Sequence, residues 1–202
     1  MTKTAFAFGA DEQAFTRDRR KSFTIPARYY SDPSIYEAEK GAVFHRNWWL
    51  VGHVTRFPEV GSYVRVDVQD QGVLVIKGRD GELRAFYNVC QHRGHEMVKD
   101  DDGRLRNLMV CPYHAWAYDF EGSLVRARNT EELPDFDKCN FGLKSVKLEV
   151  LADFVYVNLD PDAESLNDLT PGIEEEMRYY MPQLGELEFA GRVTYEVGCN
   201  WK

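Results

Sequence analysis

The stretch NVCQHRGHEMVKDDDGRLRNLMVCPYHAWAYD, residues 88–119, decides how the rest of the chain is read. It places Cys90 and His92 in one short segment and Cys111 and His114 in a second, with 18 residues between His92 and Cys111. Each segment offers one soft thiolate and one imidazole, so two loops closing on each other make a mixed Cys2His2 metal site. Ligands this close together within each pair suit the tips of two β-hairpin loops, which predicts a β scaffold behind them.

Two metal chemistries take that donor set. Structural zinc accepts two Cys and two His, but its knuckles usually present C-x2-4-C in one and H-x3-5-H in the other. Here each knuckle is mixed, and the first has one intervening residue. That pattern favours a Rieske [2Fe–2S] cluster, with Cys90 and Cys111 on one iron and His92 and His114 on the other. Neutral imidazoles in place of two thiolates remove negative charge. The potential then rises to roughly −150 to +300 mV, against about −400 mV for a plant-type all-thiolate ferredoxin. Such a centre relays single electrons. Gly94 is read as the residue that lets the first loop turn tightly, Pro112 as a stiffener of the second, and Trp116 as a shield over the cluster.

Outward from these loops the texture is that of short strands. Val64, Val66 and Val68 alternate with Tyr63, Arg65 and Asp67 in SYVRVDV (Ser62–Val68), and VLVIKG (Val73–Gly78) and ELRAFYNV (Glu82–Val89) flank an Arg79-Asp80-Gly81 turn. Asp-Gly between β-rich runs is a strong hairpin signal. WWLVGHV (Trp48–Val54) supplies a first strand, and Lys144–Asp160 a hairpin about Ala152-Asp153. Asp100–Gly103 is expected as a solvated turn. The fold class is therefore mainly β: an antiparallel sandwich or small barrel with flanking N- and C-terminal helices. The first helix follows Asp32-Pro33, with Ser31 or Asp32 as N-cap and Pro33 at the first helical position. The second spans about Pro171–Tyr180. Residues 1–45 are assigned to an N-terminal segment and helix, 46–160 to the cluster domain, and 161–202 to a linker and the start of a further domain. EFAGRVTYEVGCNWK (188–202) is expected to begin a strand whose partner lies in a longer polypeptide.

The chain has 202 residues, is 44% hydrophobic and carries a formal net charge of −8. An acidic surface argues against nucleic acid or an anionic membrane as partner. No apolar run reaches the length of a membrane span, and MTKTAFAFGADEQAFTRDRRKS lacks a signal-peptide core. Both point to a cytoplasmic location, where Cys139 and Cys199 remain thiols.

The motifs C-Q-H-R-G-H (90–95) and C-P-Y-H-A-W (111–116), with IPARYYSDPSIYEAEKGAVFHRNWWLVGH upstream and CNWK at 199–202, resemble the α subunit of the Rieske non-haem iron oxygenases. The resemblance implies a mononuclear Fe(II) site of two histidines and a carboxylate in a domain beyond Lys202. It also implies an NAD(P)H-dependent reductase or ferredoxin as electron source, and a homo-oligomer, a ring of three, with electron transfer between subunits. His45, His53 and His95 do not form the Fe(II) site. The branch is similar to monooxygenases and demethylases of quaternary amines such as betaines or choline, with ring-hydroxylating dioxygenases as the alternative. A freestanding Rieske ferredoxin is a third reading, which the long flanks disfavour. Respiratory Rieske proteins carry a disulfide between their loops where this chain has His95 and Tyr113, and a serine where it has Trp116. Fewer donors to the cluster predict a midpoint in the lower part of the Rieske range.

Overall fold

In the computed structural model, which describes residues 17–130 and 132–202, the chain divides into two units. One comprises the described residues up to Phe44 together with Arg192–Lys202; the other is His45–Gly191. Of the N-terminal segment assigned to residues 1–45, the part up to residue 16 lies outside the described residues.

The first unit is helical. A single turn, α1 (Arg28–Ser31), precedes α2 (Pro33–Ala42). Asp32 caps α2 as expected, its carboxylate accepting the Ser34 N–H at 2.9 Å, and Pro33 takes the first helical position. Ile35 and Phe44 are buried, and the Phe44 ring meets Trp201 edge-on at 5.0 Å. Glu39 on α2 accepts from Trp201 Nε1 at 2.8 Å and Lys202 Nζ at 2.6 Å. The strand expected over 188–202 does not form: this segment is irregular, with Val193, Tyr195 and Val197 exposed. Its alternating pattern is real, but a strand needs a neighbouring ladder to bond with.

The second unit contains β1 (Trp49–His53), β2 (Ser62–Val68), β3 (Gln71–Lys77), β4 (Leu83–Tyr87), β5 (Asp102–Arg104), β6 (Met109–Val110), β7 (Ala117–Tyr118), β8 (Leu124–Arg126), β9 (Ser145–Leu151) and β10 (Phe154–Asn158), followed by α3 (Leu166–Leu169) and α4 (Ile173–Tyr180). Seven strands form one antiparallel sheet in the order β1-β10-β9-β4-β3-β2-β5. β6, β7 and β8 form a second, small sheet. The β3–β4 turn is pinned by Asp80, whose carboxylate accepts from Arg84 at 2.6 and 2.9 Å. That guanidinium, with the Glu82 N–H, holds Asp80 well below the usual carboxylate range. In the β9–β10 turn Ala152 and Asp153 both take positive φ, 51° and 64°, as a two-residue primed turn requires.

Asp100–Gly103 departs from expectation. Instead of a free turn, Asp102–Arg104 becomes β5 and pairs with β2, Tyr63 opposite Gly103. Asp102 accepts from Arg56 at 2.7 Å, and the Arg65 guanidinium sits between Asp67, Glu96 and Asp101. Charged side chains on an outer strand discourage further edge pairing.

β3 is buried on both faces and divides the unit into two cores. Val73 and Val75 face a core with Val51, Phe57, Val64, Val68, Val155 and Val157. Leu74 and Ile76 face another with Phe86, Met97, Met109, Trp116, Tyr118 and Phe120, and this second core contains Cys90 and Cys111.

Candidate metal centre

The small sheet and the connection after β4 carry two knuckles built alike. In the first, Gly94 N–H returns to the Cys90 carbonyl at 3.0 Å and Cys90 N–H reaches the His95 carbonyl at 2.9 Å. In the second, Ala115 N–H returns to the Cys111 carbonyl at 3.0 Å and Cys111 N–H reaches the Trp116 carbonyl at 2.8 Å. The closing residue is left-handed in both, with φ of 71° at Gly94 and 58° at Ala115. Gly94 adopts this freely, as read from the sequence. Ala115 carries a Cβ there at a cost of about 1–2 kcal/mol, so the second knuckle is the more strained.

On these matching frames the thiols point inward and the imidazoles outward. Cys90 and Cys111 are each 2% exposed and unoxidised, while His92 is exposed and His114 half-buried. The two imidazoles meet edge to face, centroids 4.8 Å apart. All four sequence-predicted residues are thus brought together, and Cys139 and Cys199 are not among them; both are exposed.

The donor set fits a binuclear cluster. Burial pushes the Cys111 thiol up, opposed by the Tyr113 and His114 backbone N–H groups and reinforced by the adjacent Cys90 thiol. A thiol so placed is costly to ionise alone, and bound iron would reverse that balance. His92 is held below its usual range by desolvation, then by His114 and Arg93, which keeps it neutral as a ligand must be. His114 Nδ1 is buried with no hydrogen-bond partner, the orphaned atom expected of a ring nitrogen awaiting a metal. Among the described residues no three His, Cys, Asp or Glu converge as around a single ion. A cluster of two bridged irons asks for two protein ligands on each.

Two supporting residues escaped the sequence reading. Asn88, 1% exposed, accepts the Met97 and Val98 N–H groups at 3.2 and 3.0 Å and donates to the Val98 carbonyl at 2.8 Å, which closes the first knuckle's return. The Tyr118 hydroxyl accepts the Gln91 N–H at 3.1 Å and lies 3.4 Å from Cys90 Sγ, a contact in which either atom can donate and in which the hydroxyl is the donor once Cys90 is a thiolate. Burial, and then the contact with Cys90, raise the Tyr118 phenol well above its ordinary value and keep it a donor. The sequence-based count of missing donors therefore overlooked one that is present. The available signal was a tyrosine one residue beyond the shielding tryptophan's neighbour, a position any core aromatic could fill.

The other histidines stand apart. His45 Nε2 lies 3.3 Å from Asp70, and His53 Nδ1 lies 2.9 Å from the Thr55 hydroxyl. The His95 ring faces Tyr113 at 5.5 Å, so the positions that would carry a second cysteine pair hold an imidazole and a phenol.

Residues 47–137 match the family of the Rieske [2Fe-2S] domain. Over 188 residues the chain is 39% identical to the carnitine monooxygenase oxygenase subunit of Escherichia coli K12, a match covering 93% of this chain and 50% of that protein. The glycine betaine monooxygenase oxygenase subunit of Pseudomonas aeruginosa is 31% identical over 186 residues, covering 92% and 42%. Among solved structures, a quaternary ammonium Rieske monooxygenase in complex with L-carnitine superposes with a TM-score of 0.83 at 36% identity, covering 89% of this chain and 51% of that one. The chain spans about half the length of the curated relatives it matches. Among the described residues no helix is long and apolar enough to cross a membrane.

Proposed function

We propose that this chain, whose residues 47–137 match the Rieske [2Fe-2S] domain, is the electron-accepting half of a Rieske monooxygenase acting on a quaternary amine. The observation that carries this reading is the pair of equivalent knuckles presenting Cys90, His92, Cys111 and His114 to one place. Cys90 and Cys111 would hold one iron from within the core, and His92 and His114 would hold the other at the surface. The bound cluster supplies one-electron transfer in the Rieske range of potential.

The protein's own residues do the rest. Backbone N–H groups of Tyr113 and His114 and the Tyr118 hydroxyl stabilise negative sulfur. Trp116 and the apolar side chains of the second core keep water from the thiolates, lowering the local dielectric. The substrate class rests on likeness to oxygenase subunits named for carnitine and glycine betaine. Oxygen activation belongs to a mononuclear Fe(II) site outside these residues, fed by an NAD(P)H-dependent reductase or a ferredoxin, in a homo-oligomer. The test is turnover by the full-length protein with a reductase, reduced nicotinamide and O2. Carnitine, glycine betaine or choline is expected to be consumed in step with nicotinamide oxidation. Coupled turnover of aromatic acids alone would replace the substrate reading with the ring-hydroxylating one.

A further inference from the structure

Between β8 and β9 the chain runs 18 residues, 127–144, and among the described residues its regular structure is a single 3-10 turn, Lys138–Phe141. A connection this long with so little structure of its own usually does more than join two strands. This one is pinned at several points. Asp137 caps the turn by accepting the Cys139 N–H at 2.9 Å, Lys138 Nζ donates to the Val125 carbonyl at 3.2 Å, and Leu143 N–H donates to the Gly122 carbonyl at 2.8 Å.

The pinning places two aromatic rings. Phe136 and Phe141 stack on each other at 4.8 Å and 22°, and both meet Trp116 edge-on, each at 5.7 Å, with interplanar angles of 72° and 87°. Trp116 is 3% exposed and lies flat against the His92 ring, 4.6 Å away and tilted by 15°. His114 is supported differently, by the adjacent Tyr113 ring at 3.8 Å.

We propose that Phe136 and Phe141, acting through Trp116, are positioning residues that set the orientation of the His92 imidazole. The proposal rests on His92 being an iron ligand. An imidazole bound through one nitrogen can rotate about that bond, and outer partners normally fix it by a hydrogen bond. Here a flat stack on an immobilised indole restrains that rotation, and edge-to-face contacts with two phenyl rings keep the indole from tilting. The ring plane decides how the ligand overlaps with iron and where its remote N–H points. Phe141 lies outside residues 47–137, beyond the segment that matches the domain family.

The test is the EPR spectrum of the reduced, cluster-loaded full-length protein, with iron and acid-labile sulfide measured alongside. Phe136→Leu/Phe141→Leu keeps apolar bulk and removes both edges. It is expected to retain full iron and sulfide, with displaced g values and broadened lines. Phe141→Leu alone gives a smaller displacement, and Phe141→Tyr restores the original spectrum. If the double variant loses its cluster, Phe141→Leu against Phe141→Tyr decides on the same criterion. Spectra that superpose on the unmodified protein at full cluster content overturn the proposal. So does loss of the cluster from Phe141→Leu, which would make the bracket a folding element. Unmodified protein without iron and sulfide overturns the ligand assignment instead.

Discussion

On one face of β3, Val73 and Val75 enter a core composed mostly of valine, together with Phe57, Ala85 and Leu159. On the other, Leu74 and Ile76 enter a core that mixes Cys90 and Cys111 with Trp116, Tyr118 and Phe120. The first face is closed by strands of five to seven residues. The second is closed by β6 and β7, two residues each. Long ladders and aliphatic burial make the valine face self-sufficient. Two-residue strands hold little by themselves, so the cysteine face draws on metal–ligand bonds, whose energy becomes folding energy. One sheet thus serves as a rigid wall with a metal-dependent cap on one side.

Removing a ligand should break the comparison most visibly. Cys90→Ser or His114→Ala is expected to abolish the visible absorption. Amide exchange should then rise across residues 88–126 while β1, β9 and β10 stay protected; uniform loss of protection would show that both faces depend on the metal. Phe57→Ala, on the valine face, should lower stability by about 3–5 kcal/mol, read by denaturant unfolding, with the cluster spectrum of the folded protein unaltered. Bleaching in that variant would mean the two cores are not independent. Tyr118→Phe is a smaller perturbation. It removes the donor to Cys90, and because such donors favour the more negative reduced cluster, the midpoint should fall. A net hydrogen bond of about 1 kcal/mol corresponds to a shift on the order of 40 mV in a redox titration; an unchanged or higher midpoint contradicts the assigned direction of the Tyr118 proton. At the lower end, Cys139→Ser and Cys199→Ser should leave spectrum and potential as they were, and a change in either would move the ligand assignment.

The wall was legible in the sequence because its signals are local. Val64 and Val66 lie opposite Val75 and Val73 in the antiparallel pairing of β2 with β3, and the Asp80-Gly81 and Ala152-Asp153 turns fall where expected. The four proposed ligands stood out in the sequence as residue types at a spacing, and the fold brings them together. What supports them did not stand out. Tyr118, Asn88, Phe136 and Phe141 gain their meaning from long-range packing, and each is, in sequence, an ordinary strand or loop residue. Asp102–Arg104 failed for a related reason: a run of aspartates has low strand propensity, and pairing with β2 and the Arg56 and Arg65 guanidinium groups overrides it. The strand expected over 188–202 failed in the opposite direction, an alternating pattern with no neighbouring ladder among the described residues.

The most direct measurement is the metal and acid-labile sulfide content of the purified protein, taken with its visible spectrum before and after reduction. A reddish-brown protein with about two irons and two sulfides per chain, and a rhombic EPR signal on reduction, is the predicted result. A colourless protein with one zinc per chain and no sulfide would contradict it.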